Sequence, residues 1–264
     1  MMSLVLKSFV AVLLAAPLLL APAVRADVVL TYTGNGPEQG LTMHATSTPY
    51  DPMPAGVFNF DVNSGGPENG FGSTIRSFCA EIFTDVLHGG ASSTYTVVPV
   101  ASLADLQNPP RSLPADPINK ANYLTELFGR YYASTSTPEG AAAFQYAVWE
   151  ILYDSVTDLN VATGNIRFDP DSPGALGQTV GSSTATTAAM WLGSLSGDTT
   201  QFTNNPAYAG HEFVGLASVD YQDQITIRQT PVVPAPPALL LGLFGIAAVG
   251  GRSWWKRRSQ VVAA

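Results

Sequence analysis

Gly140–Asp154 reads GAAAFQYAVWEILYD and is the clearest amphipathic helix of the chain. Phe144, Val148, Ile151 and Leu152 recur at helical spacing and form an apolar stripe. Gln145, Trp149 and Tyr153 stand at i, i+4 and i+8 on an adjoining stripe. Gln145 therefore lies one turn from an indole, at the edge of the expected buried face. An amide placed there needs hydrogen-bond partners or a chemical use.

Outward from this helix, the flanks alternate in character. Thr137-Pro138-Glu139 supplies a helix start, and Asp116-Pro117 starts an earlier helix through Tyr132, with Leu124, Leu127, Phe128 and Tyr131 as its stripe. Ser102–Gln107 reads as a single helical turn. A further helix is expected over Thr184–Leu195, with Trp191 and Leu192 inward. Before them, Val28–Tyr32, Val57–Val62 and Ser93–Val100 read as strands, set apart by turns such as Asn35-Gly36 and Ser64-Gly65-Gly66-Pro67. Strands return at Glu212–Leu216 and Gln224–Arg228. No internal repeat is present. The order strands, helices, strands gives an α+β class: a strand-rich, barrel- or sandwich-like part with a helical insert of about three helices near 116–196.

Both ends read as processing segments. Lys7, the apolar Phe9–Leu20 and Val24-Arg25-Ala26 make residues 1–26 a secretory signal peptide. The mature chain then starts at Asp27, or after Ala23; the competing reading is an uncleaved anchor. At the other end, residues 231–237 form a stiff proline-rich linker. Residues 238–258 join the apolar ALLLGLFGIAAVGG to Trp254, Trp255 and the basic Arg252, Lys256, Arg257 and Arg258, the pattern of a membrane segment with a cytoplasmic basic end. Residues 27–230 remain as one extracellular domain.

Between Asp27 and Pro234 lie all 20 acidic residues but only six basic ones, a net charge of −14. A domain this acidic repels nucleic acid and anionic lipid surfaces, so neither is expected as a partner. His44, His88 and His211 are scattered without metal-ligand spacing, and Asp169-Pro170-Asp171-Ser172 is a weak calcium pattern that suits a turn equally well. No metal or cofactor is expected.

Cys79 is the one cysteine, within Ser77-Phe78-Cys79-Ala80-Glu81. It cannot form an internal disulfide. A buried inert thiol, an intermolecular disulfide, a metal ligand, a nucleophile and an internal cross-link to a group other than sulfur all stand open on the residues alone.

Two resemblances narrow this. The tripartite tail, with Val233-Pro234-Ala235-Pro236-Pro237-Ala238 ahead of the apolar run and the basic end, resembles the PEP-CTERM sorting signal of exported Gram-negative proteins. Val233, Pro234, Pro236 and Pro237 hold the motif position, without the Glu of the common Pro-Glu-Pro form. This resemblance implies an exosortase-type processing enzyme as partner. It also implies an inner-membrane anchor through the C-terminal segment, then a fate at the cell surface or outside the cell. Phe78-Cys79 and Gln145-Tyr146-Ala147-Val148-Trp149 resemble the two halves of the Cys-Gln thioester domains of bacterial surface adhesins, and Leu124–Tyr132 resembles the helix preceding the Gln there. Phe144 and Ala80-Glu81 depart from that pattern. This second resemblance implies that Cys79 and Gln145 meet where strands join helices and form a thioester. Phe78, Tyr146 and Trp149 would shield it, and a partner amine on a surface or matrix molecule would be the acceptor. The expected function is covalent adhesion without catalytic turnover; the alternative is a non-covalent structural or interaction protein of the envelope or matrix. Lys120 is the only lysine between Asp27 and Pro234, which would limit self-acylation, although a general preference for Arg over Lys explains it equally well.

Overall fold

The computed structural model describes residues 27–45, 48–107, 115–168 and 182–231. The chain divides after Thr230 into two units, and the described residues other than Pro231 belong to the first. The signal-peptide, sorting-motif and membrane-segment expectations, and the Asp169–Ser172 turn, lie outside the described residues.

Seven strands form one antiparallel sheet: β1 (Asp27–Ala45), β2 (Thr48–Ser64), β3 (Thr74–Cys79), β4 (Ser92–Val98), β5 (Ile166–Phe168), β6 (His211–Ala217) and β7 (Gln224–Gln229). β1 pairs with both β2 and β4, so the pairings run β1–β2–β3–β7–β6–β4 and back to β1. The ring closes, and β5 adds to β1 outside it at Met43–Ala45. The ring is closed most narrowly between β3 and β7, which pair only at Phe78–Ile225 and Cys79–Gln224. Its interior is filled by alternate side chains, among them Val28, Leu30, Phe60 and Tyr95, all buried.

β1 corrects one expectation. Asn35-Gly36 is not the turn of a hairpin; it lies within β1, which continues to Ala45. The register against β2 shifts between Tyr32 and Gly34, between Asn35 and Glu38, and between Leu41 and Met43. Bulges of this kind bend a strand, which lets β1 serve β4 at one end and β5 at the other. The bulge also explains Gly56: a Cβ there would come within 2.3 Å of the Pro37 carbonyl oxygen.

Among the described residues five α-helices lie between β4 and β6: α1 (Ala104–Gln107), α2 (Pro117–Tyr131), α3 (Pro138–Tyr153), α4 (Ser182–Leu192) and α5 (Thr200–Thr203). The molecule is thus α+β and strand-rich. Asp116 caps α2 by accepting from the Asn119 N–H, and Thr137 caps α3 by accepting from the Gly140 N–H, each with proline next in line. α3 packs on β1, β2 and β3, while α2 and α4 cover it from the other side.

Here the amphipathic expectation fails in an informative way. Every residue of α3 from Gly140 to Tyr153 is buried, Gln145 and Glu150 included. A helix buried all round belongs to the centre of a domain, not to its surface. The small residues Gly140–Ala143 permit the close approach; a Cβ on Gly140 would fall 2.1 Å from the Ser134 carbonyl oxygen. Burying Phe144, Val148, Ile151 and Leu152 stabilises the fold by roughly 1.5–3 kcal/mol each. That exceeds the cost of taking two polar side chains inside, provided those side chains are hydrogen-bonded.

Candidate functional site

The site forms where β3 ends against the middle of α3. β2 pairs with β3 only as far as Ser77, opposite Phe58, while β7 accompanies β3 to Cys79, opposite Gln224. Ala80 donates its N–H to the Asp223 carbonyl on the β7 side. By strand alternation the main chain of Cys79 faces the other way, where β2 has already left. Gln145 fills that place. Its Oε1 accepts from the Cys79 N–H at 2.9 Å, and its Nε2 donates to the Cys79 carbonyl at 2.9 Å. The side-chain amide thus acts as one further residue of sheet, carried in on a helix.

The thiol is enclosed as tightly. Cys79 Sγ donates to the Glu81 carbonyl at 2.5 Å. It accepts from the Glu81 N–H at 3.3 Å and from the Trp149 indole Nε1–H at 3.4 Å. Burial pushes the Cys79 thiol far up; the Trp149 and Glu81 hydrogen bonds oppose this, and the Glu81 and Asp105 carboxyls reinforce it. The resting sulfur is therefore a neutral thiol.

Behind the sulfur sits a buried acidic group. Glu81 is pushed up to about 7, mainly by burial, and its Oε2 accepts from the Asp223 N–H at 2.9 Å. Asp223 is pushed up to about 6, again mainly by burial. Its Oδ2 and the Tyr95 hydroxyl are buried without a hydrogen-bond partner. Tyr153 pins the segment after Cys79: its hydroxyl donates to Asp105 Oδ2 at 2.7 Å and accepts from the Ile82 N–H at 3.1 Å. From β7, the Gln222 amide donates to the carbonyls of Glu81 and Thr84.

A cleft of about 290 Å³ opens above this junction. Cys79 and Trp149 contribute to its lining, together with Tyr32, Phe58, Asp85 and His88. A second cleft, of about 570 Å³, lies between the diverging parts of β3 and β7 and shares no lining residue with the first.

Of the three residues expected to shield a thioester, Trp149 bonds directly to the sulfur. Phe78 lies on the opposite face of β3 from Cys79, in an aromatic cluster with Phe144 at 4.5 Å and Phe128 at 6.0 Å between ring centroids. Tyr146 turns toward β5: its hydroxyl donates to the Val161 carbonyl and its ring meets Phe168 edge-on. Among the described residues no group of three or more His, Cys, Asp or Glu could hold a metal ion.

Sequence reasoning missed Tyr153, Asp105, Glu81 and Gln222 as parts of this surround. One signal was available: the β7 segment QDQITIRQ carries polar residues at alternate positions, and Gln222, Gln224 and Thr226 prove buried. Ser77 Oγ donates to Gln224 Oε1 at 2.9 Å, so polar contacts extend from β7 to the residue two before Cys79. No family model, curated protein or solved structure matches the chain.

Proposed function

We propose that this is an exported cell-surface or extracellular-matrix protein that attaches covalently to a partner amine through an internal Cys79–Gln145 thioester. The observation that carries the reading is the pair of hydrogen bonds by which the main chain of Cys79 grips the Gln145 amide. The Cys79 N–H is aimed at Gln145 Oε1, where negative charge would develop if sulfur added to the side-chain carbonyl. In that step the Sγ–Cδ bond forms and the Cδ–Nε2 bond breaks. The thiol proton leaves with nitrogen as ammonia. An incoming amine then takes the acyl group, restores the thiol and stays joined to Gln145 as an amide.

Two further features support it. Cys79, although buried, contributes to the lining of a cleft from which an acceptor would approach. Lys120, the only lysine from Asp27 to Pro231, is fully buried, with its Nζ donating to the Leu152 carbonyl. The domain therefore offers no exposed lysine to its own acyl group, and the acceptor belongs to another molecule. In this reading residues 27–230 are a thioester-type domain with the helical insert at 116–196. Residues 1–26 direct export, and residues 231–258 anchor the chain until an exosortase-type enzyme acts at the Val233–Pro237 motif.

A second reading has its own support. The same two hydrogen bonds complete the unpaired end of β3, so Gln145 has a full structural use without any reaction. The protein would then be a non-covalent envelope or matrix component. Methylamine distinguishes the two. The covalent reading expects one methylamine added at Gln145, with a newly alkylatable Cys79. Absence of the adduct in freshly isolated protein favours the structural reading.

A further inference from the structure

An alkylamine reaches the cleft as an ammonium ion, which cannot attack. The sulfur it displaces leaves as a thiolate in surroundings that strongly disfavour that charge. Acyl transfer here therefore needs a group that takes a proton from nitrogen and a proton for sulfur. Two ordinarily ionisable side chains besides Cys79 and Tyr32 line the cleft: Asp85 and His88. A carboxylate beside an ammonium holds the proton in place. Imidazole is the side chain that ordinarily gains and loses a proton between about pH 5 and 8.

His88 is delivered to the cleft by its own loop. The chain leaves β3 at Cys79 and is tied to β7 where the Gln222 N–H donates to the Asp85 carbonyl. It then reverses through His88-Gly89-Gly90-Ala91. The Ala91 N–H donates to the His88 carbonyl at 3.2 Å, and Gly89 and Gly90 adopt φ of 68° and 73°, which a side chain would resist. Tyr32 of β1 fixes the turn, its N–H donating to the Ala91 carbonyl and its ring standing perpendicular to the imidazole at 6.2 Å. His88 is thus an exposed imidazole on a braced turn, over the cleft that has Cys79 in its lining. The charged and titratable groups around it are Asp85 of the same loop, Tyr32 of β1 with Glu38 beyond it, and Cys79 of β3.

We propose that His88 is the base that deprotonates the incoming amine and returns a proton to the Cys79 sulfur as the thioester opens. This rests on the thioester reading. The N–Cδ bond forms and the Cδ–Sγ bond breaks; of the two protons that leave nitrogen, the imidazole passes one to sulfur and the other is released to solvent, so no other reactant is needed.

The test uses the mature domain, wild type and His88→Ala, with methylamine and hydroxylamine as probes. Hydroxylamine is largely uncharged at neutral pH, so it attacks without prior deprotonation and hands its one surplus proton to sulfur itself. The variant should reach the same ammonia-deficient mass, only more slowly, since a base changes the rates of bond formation and opening and not their equilibrium. Its methylamine uptake should fall on the order of 100-fold, with a changed pH profile. Free imidazole in the buffer should restore much of the rate. Hydroxylamine uptake should stay within about threefold of wild type, because that nucleophile arrives already neutral. Unchanged methylamine uptake with an unchanged pH profile overturns the proposal. Equal loss with both probes and no imidazole rescue overturns it too, since that is a structural defect. A wild-type protein of full mass overturns the thioester reading itself and takes the role of His88 with it.

Discussion

Glu126 on α2 and Gln145 on α3 are both helical side chains carried wholly into the interior to satisfy the main chain of a distant segment. The Glu126 carboxylate accepts from the N–H groups of Ser196, Gly197 and Asp198 at 2.7–2.9 Å, and Arg130 closes the group with an ion pair at 2.8 Å. The Ser196 hydroxyl also donates to that carboxylate at 3.5 Å, but no thiol takes part. Gln145 binds only one residue's main chain, but that residue carries the chain's one thiol and contributes to the lining of a cleft. Burial and polarity are common to both places. What separates a brace from a candidate reactive centre is that the gripped residue carries a thiol and contributes to the lining of a cleft.

The comparison breaks first at the brace. Glu126→Ala leaves the N–H groups of Ser196, Gly197 and Asp198 without their acceptor and empties a fully buried position. It should cost about 3–5 kcal/mol of unfolding free energy, read by denaturant titration. The variant that still folds at low temperature should keep amine uptake. Loss of uptake in a folded Glu126→Ala protein would show that the two regions are not separate.

A pH series sharpens it from the side of the buried acids. Burial, reinforced by Asp154, raises Glu150 to about 9; Glu81 and Asp223 are raised to about 7 and 6. From the ordinary carboxyl range upward, the unfolded chain loses these protons before the folded one does. The folded state then binds more protons, so stability falls as pH rises from about 4.5 toward 8. Lys120, lowered to about 8 chiefly by burial, acts in the opposite direction only above that value. Melting temperature should therefore be higher at pH 5 than at pH 7.5. Glu150→Gln should remove on the order of 2 kcal/mol of that dependence while leaving the Cys79 chemistry intact. A flat wild-type profile would mean that these carboxyls are not held protonated.

The smallest stability change belongs to the reactive partner. Cys79→Ala removes one small buried side chain and should cost about 1–2 kcal/mol, measured by thermal melting. In a domain this size the variant still folds, yet amine uptake should vanish. A large effect on function with a small one on stability is the reverse of what Glu126→Ala should give.

Much of this was legible in the sequence because it rests on local chemistry. Asp116-Pro117 and Thr137-Pro138 announce their caps, and the strands around Leu30, Phe60 and Ile225 follow alternation. The joining of Cys79 to Gln145, 66 residues apart, came from motif resemblance and not from periodicity. Periodicity misjudged α3: it assigned an exposed side to a helix covered on every side by β1, β2, α2 and α4, because a 3.6-residue period reports pattern and not what packs against it. It misjudged Asn35-Gly36 for a related reason, since a bulge and a turn use the same residues and only the partner strand decides between them. Tyr153 looked like a continuation of the Gln145 stripe; its hydroxyl bonds to Asp105 and Ile82 are non-local and had no trace in spacing.

The central claim is a bond, and a bond changes mass. Freshly isolated residues 27–230, measured intact by high-resolution mass spectrometry, should weigh one ammonia less than the sequence. Digestion should then yield the peptides of Cys79 and Gln145 joined. Gln145→Ala and Cys79→Ala should each restore the full sequence mass for that variant. A wild-type protein at full mass, with Cys79 alkylatable after unfolding and the two peptides separate, would contradict the covalent account and leave Gln145 as a brace like Glu126.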